Sequence, residues 1–143
     1  MRLFVELCGS SFSYYPILRC KDKDKFESSV EEFKQGLINV NTFLEKKSDS
    51  RGPFLFGDKF SLAECNTAPF LQRACNVLPV FTGDSSVIVD PIKICDELNL
   101  SRLKTWILAV LERPSVKTTE LPKELMIESV TKMLKRLSEM EKN

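Results

Sequence analysis

The side chains best suited to covalent chemistry in this 143-residue chain are five thiols, Cys8, Cys20, Cys65, Cys75 and Cys95. They are odd in number and scattered, with no C-x-x-C pair, and the chain contains no histidine. A disulfide framework and a zinc site therefore both lack their usual signature. A Ser-His or Cys-His nucleophile is excluded, because no imidazole is present to take the proton. None of the thiols has a neighbouring activator visible in the sequence, so they read as reduced, small apolar packing residues, and catalytic and metal-ligating residues are expected to be none.

A second group with chemical character lies in FGDKFSLAECNTAPFLQR, residues 56–73. Ser61 precedes Glu64 by three positions at the head of an apolar run. That spacing lets the Ser61 hydroxyl accept from the backbone N–H of Glu64 while the Glu64 carboxylate reaches back to the N–H of Ser61. Such a capping box is worth about 1 kcal/mol. Phe60 and Cys65 are spaced to close a hydrophobic staple around it. Ser61, Glu64 and Phe60 thus read as a structural cap, and the box marks where a helix begins. Pro69, inside the same helix, removes the bond to the Cys65 carbonyl and predicts a bend.

The elements that must position these residues are helical almost throughout. Phe26, Val30, Phe33, Leu37, Val40 and Leu44 recur at three- and four-residue steps and predict a long amphipathic helix, with Gly36 inside it at a cost of about 1 kcal/mol relative to alanine. The polar stretch at 48–53 ends it. Phe4, Leu7, Cys8, Phe12, Tyr15 and Leu18 predict an earlier helix, interrupted by Gly9, Ser10, Ser11 and Pro16. A helix over 61–78 follows, then a turn-rich connection at 81–86 and a short helix at 91–98. Leu103, Trp106, Ile107, Val110 and Leu111 form a further stripe that stops before Pro114. The last helix, 122 to about 142, carries a Glu128–Lys132 pair at favourable spacing. No repeat appears, so residues 1–143 read as one all-α bundle of five to six helices.

Charge narrows the partners. Lys and Arg balance Asp and Glu to a formal net charge of +1, so no global field favours nucleic acid or a membrane surface. No apolar run approaches the ~20 residues of a membrane span, and the start lacks a secretory signal, which points to a cytoplasmic protein.

GPFLFGDKFSLAEC, then Pro69, Phe70 and Arg73, and finally LKTWILAVLERPSVKTT resemble the C-terminal helical domain of the glutathione transferase superfamily. The first phrase is similar to the family's entry into its buried central helix, with Glu64 where the family usually has aspartate. The spacing from Ser61 to Pro69, with an aromatic and an arginine after it, looks most like the omega class and its fungal relatives. The thioredoxin-like half of such enzymes, which holds glutathione and supplies the catalytic group, is not recognised in this sequence. By resemblance the chain is expected not to catalyse alone and to hold no cofactor, glutathione being bound only where a thioredoxin-like domain is supplied.

The resemblance also assigns roles. Phe12, Tyr14 and Tyr15 of the first helix, with Phe70 and Arg73 of the central one, would line the pocket for an apolar co-substrate, and the arginine would pair with a carboxylate. Two functions follow: a protein-interaction or substrate-lining module, or part of an active omega-like glutathione transferase or thiol transferase when joined to the missing half. In either, Phe4, Leu7 or Tyr15 is expected to be left uncovered, so that a protein partner or a second copy docks through the N-terminal helix, residues 1–18.

Overall fold

Asp22 shows how this chain starts its helices where the sequence offers a cap: its carboxylate accepts from the N–H groups of Asp24 and Lys25, at 2.9 and 3.5 Å. The computed structural model describes residues 1–83 and 85–142. Among these residues the chain forms eight helices: α1 Arg2–Ser11, α2 Tyr15–Arg19, α3 Lys23–Lys47, α4 Leu62–Phe81, α5 Pro91–Glu97, α6 Ser101–Glu112, α7 Pro114–Thr119 and α8 Lys123–Met140. The fold is all-α, and the 48–61 connection contributes only two isolated bridges, Phe54 with Gly57 and Phe56 with Lys59.

The count exceeds the five to six expected because short helices hide between long ones. The first expected helix is two, since the chain turns at Phe12–Tyr14 and Pro16 takes an early position in α2, where its missing N–H costs nothing. Arg113 does end α6 in an extended conformation, but Pro114 then opens α7. The connection at 81–86 includes Asp84, which lies outside the described residues. α4 runs three residues beyond its expected end, through both Pro69 and Pro79.

Trp106 of α6 is the centre of the core. It is fully buried, with Phe4 edge-on at 5.3 Å and Phe12 stacked at 6.3 Å. Phe4 also meets Phe43 of α3 at 5.4 Å. The expectation that Phe4 is left uncovered is therefore corrected, because an α1 side chain that packs on two other helices cannot also face a partner. Leu3, beside it on the turn, is 68% exposed instead.

Gly36 gives α1 and α3 their close approach. A Cβ there would stand 3.0 Å from both Cα and Cβ of Ser11. The glycine that looked like a defect in an amphipathic helix is the contact point of two helices. α3 is tied to α6 by buried Asn41, whose Oδ1 accepts from the Leu103 N–H at 2.9 Å. Leu100, at the N-cap of α6, makes no side-chain cap, so a residue of another helix satisfies one of the free donors of that helix end. No helix of the described residues is long and apolar enough to cross a membrane.

Candidate functional site

The capping residues sit at the heart of the molecule. Ser61 is extended, its Oγ accepts from Ala63 N–H at 3.2 Å, and Glu64 Oε2 accepts from Ser61 N–H at 2.9 Å. The Ser61 hydroxyl also donates to Glu64 Oε2 at 2.6 Å. Glu64 has no solvent exposure, and its other oxygen accepts from Leu55 N–H at 2.8 Å and Trp106 Nε1–H at 3.2 Å. The box thus joins the entering loop, α4 and α6. Neither Leu55 nor Trp106 was legible as a partner of Glu64, since each lies outside the local spacing that defines a cap.

Phe60 packs edge-on against Phe54 at 5.3 Å, and the Arg113 guanidinium sits 3.9 Å above its ring. Cys65, its expected staple partner, is exposed. The entry angle into α4 is therefore held by an aromatic pair and a cation over the ring. Arg102 supports the same loop, donating to Ser48 Oγ, Pro53 O and Phe54 O at 2.8 to 3.2 Å.

The five residues suggested for a pocket separate into two groups. Phe12 is 1% exposed and belongs to the core beneath Trp106. Tyr14 and Tyr15, at the start of α2, stack with ring centroids 4.6 Å apart. Tyr14 is buried, and Tyr15 is 40% exposed. Arg73, exposed on α4, acts on the Tyr14 hydroxyl. Burial, then the neighbouring Tyr15, push the Tyr14 phenol up to about 12 against the opposing pull of Arg73. Phe70, one turn before Arg73, is 45% exposed. A tyrosine pair on α2 and a cation on α4 are thus brought together, with the exposed Phe70 ring one turn away on α4. An open groove of about 320 Å³ is lined by Leu7, Ser10 and Ser11 of α1, Pro16 of α2 and Glu32, Phe33 and Gly36 of α3, and its lining includes none of the five.

The thiols are poor nucleophiles where they are buried. Burial pushes Cys8 far up, with the Glu64 charge adding to it, and pushes Cys75 and Cys95 to about 12. All five cysteines are free, and among the described residues no group of three or more His, Cys, Asp or Glu side chains could hold a metal ion.

Residues 27–107, from the first turns of α3 into α6, match the family described as glutathione S-transferase, C-terminal domain. Comparison with curated proteins and with solved structures finds no match.

Proposed function

Because that match spans more than half of the chain, the protein belongs to the glutathione S-transferase C-terminal domain family, and we propose that its helices form a docking and apolar-ligand-lining module. In this reading the module does not catalyse alone. Glutathione and the reacting group come from a thioredoxin-like domain joined to it or assembled with it in the cytoplasm.

The observation that carries the reading is the α2/α4 side. Tyr15, Phe70 and, at the start of α4, Leu62 at 64% exposure offer apolar surface, and Arg73 adds a charge suited to a carboxylate. The core thiols, held protonated by burial, offer no chemistry to compete with it. The near-zero net charge favours a protein or small-molecule occupant over a polyanion. The omega-like reading, in which the same residues serve an active transferase or thiol transferase, rests on the spacing of Ser61, Pro69, Phe70 and Arg73 alone. For a protein partner or second copy, the exposed large apolar residues of α1 and its N-cap are Leu3 and Met1, at 68% and 56% exposure.

Titration with an anionic naphthalene sulfonate probe tests the lining role. Binding is expected, weakened severalfold by Phe70→Ala and by Arg73→Ala, with no conjugation of glutathione to an aryl halide by this chain alone. Probe affinity indifferent to both substitutions, or measurable turnover, overturns the proposal. Sedimentation of the same samples reads docking through α1: Leu3→Asp should shift any self-association toward monomer, and an unchanged distribution removes α1 from the interface.

A further inference from the structure

We propose that α8 is a releasable strap, latched to α2 by Glu141, that holds α2 and α4 at the spacing their shared site requires. This rests on the reading of the α2/α4 side as the lining site, and it adds the element that regulates it.

The strap begins just beyond two anchors. Gln72 Nε2 of α4 donates to Val116 O of α7 at 3.1 Å, and Asn76 Nδ2 of α4 donates to Glu120 Oε1 at 2.6 Å. The chain is then extended through Glu120 and Pro122, with Leu121 exposed, before α8 starts. Up to Glu120 the polypeptide is fastened to α4, and the exposed, extended link after it is where a hinge would lie.

α8 itself is lightly held. It has no side-chain N-cap and no basic residue in its last turn, and only Met126 and Val130 of its 18 residues are buried. An isolated helix of this length is marginal in water, so α8 depends on its seat. That seat is α4, and near the end of α8 the α2 residues Leu18 and Arg19 border it. Beside α2 the packing is imperfect: a gap of about 90 Å³ remains between Leu18 and Arg19 on one side and Leu134 and Leu137 on the other.

The end of α8 carries acids, Glu139 and Glu141, where the helix dipole favours cations. Glu141 has an external partner for that charge: its carboxylate lies 3.2 Å from Lys21 Nζ and 3.9 Å from Arg19. A carboxylate unfavourable to its own helix thus meets two cations at the far end of α2 from Tyr15. Exposed pairs of this kind are weak and screened by salt, which suits a latch that opens. Because α8 touches both α2 and α4, its release loosens the two elements that carry Tyr14, Tyr15, Phe70 and Arg73.

Hydrogen exchange on the full chain, with mass detection, tests the strap. The 123–142 segment should exchange by a local opening well before α4 and α6. Raising salt to about 1 M, where the screening length falls to about 3 Å, should speed that segment selectively. Glu141→Lys should do so roughly two- to fivefold, as loss of an exposed pair allows. The charge swap Lys21→Glu with Glu141→Lys should restore the slower rate. Tyr14 and Tyr15 are the two tyrosines of the chain, so tyrosine-selective ring labelling in NMR reads the site alone. Both ring signals should shift in Glu141→Lys and return in the swap. Exchange of α8 in step with α4 and α6 overturns the strap, and unchanged tyrosine rings with a released α8 overturn its hold on the site. Neither readout uses a ligand, so both stand apart from the probe titration.

Discussion

The Glu64 side chain is accommodated inside the core because donors meet both of its oxygens. Two backbone N–H groups, one hydroxyl and one indole N–H surround it at 2.6 to 3.2 Å. Removing the serine and removing the glutamate should therefore differ in kind. Ser61→Ala deletes one hydroxyl and leaves the reciprocal bond to its own N–H, for a loss of about 1 kcal/mol. Glu64→Ala strands the Leu55 N–H and the Trp106 indole with no acceptor, each at about 1 to 3 kcal/mol, and opens a cavity between α4 and α6 as well. A total of about 3 kcal/mol or more is a large part of the stability of a small domain. Urea denaturation of the two variants decides the matter: a Glu64→Ala midpoint no lower than that of Ser61→Ala would show that the carboxylate only caps its helix.

Two glycines test the arrangement of helices. Gly9 and Gly36 both lie within helices, where alanine ordinarily gains up to about 1 kcal/mol. A Cβ at Gly9 meets nothing within 4 Å, whereas one at Gly36 stands 3.0 Å from two atoms of Ser11 and 3.2 Å from its carbonyl oxygen. Gly9→Ala should accordingly stabilise. Gly36→Ala should destabilise by about 1 to 3 kcal/mol, because α1 must move off α3 to admit the methyl group. Equal and positive shifts in their denaturation midpoints would mean that the helices have slack at the crossing.

The same crossing shows what the sequence made legible. The 3.6-residue stripe located α3, α6 and α8, because each is long enough to repeat it, and the capping box located α4. α2 and α7, at five and six residues, are too short to show a period and are set by Pro16 and Pro114. At the site, the local bond from Glu64 to Ser61 was readable from spacing. The bonds from Trp106 to Glu64, 42 residues apart, and from Leu103 to Asn41, 62 apart, exist only once the helices pack. Phe4 and Phe12 look like candidates for a surface because periodicity gives a stripe without saying what covers it.

For the molecule as a whole, the buried thiols make alkaline pH a probe of the packed state. Burial raises the Cys8, Cys75 and Cys95 thiols, the last two from 9.0 to about 12, because a thiolate loses its hydration inside the bundle. The unfolded chain gives up these protons near pH 9 while the folded chain retains them. Between pH 9 and 12 the native state thus binds more protons than the unfolded one, so stability falls as pH rises. The contribution is fully present below the unfolded value and is lost as pH climbs toward the folded one. Each thiol adds at most about 1.4 kcal/mol per pH unit to that slope. The expected profile is a denaturation midpoint that is flat from about pH 7 to about 8.5 and then drops, with Cys95→Ala giving a shallower drop than the parent. A parent midpoint that holds steady to about pH 10.5 would mean that the thiolates find water or a counter-charge within the folded bundle.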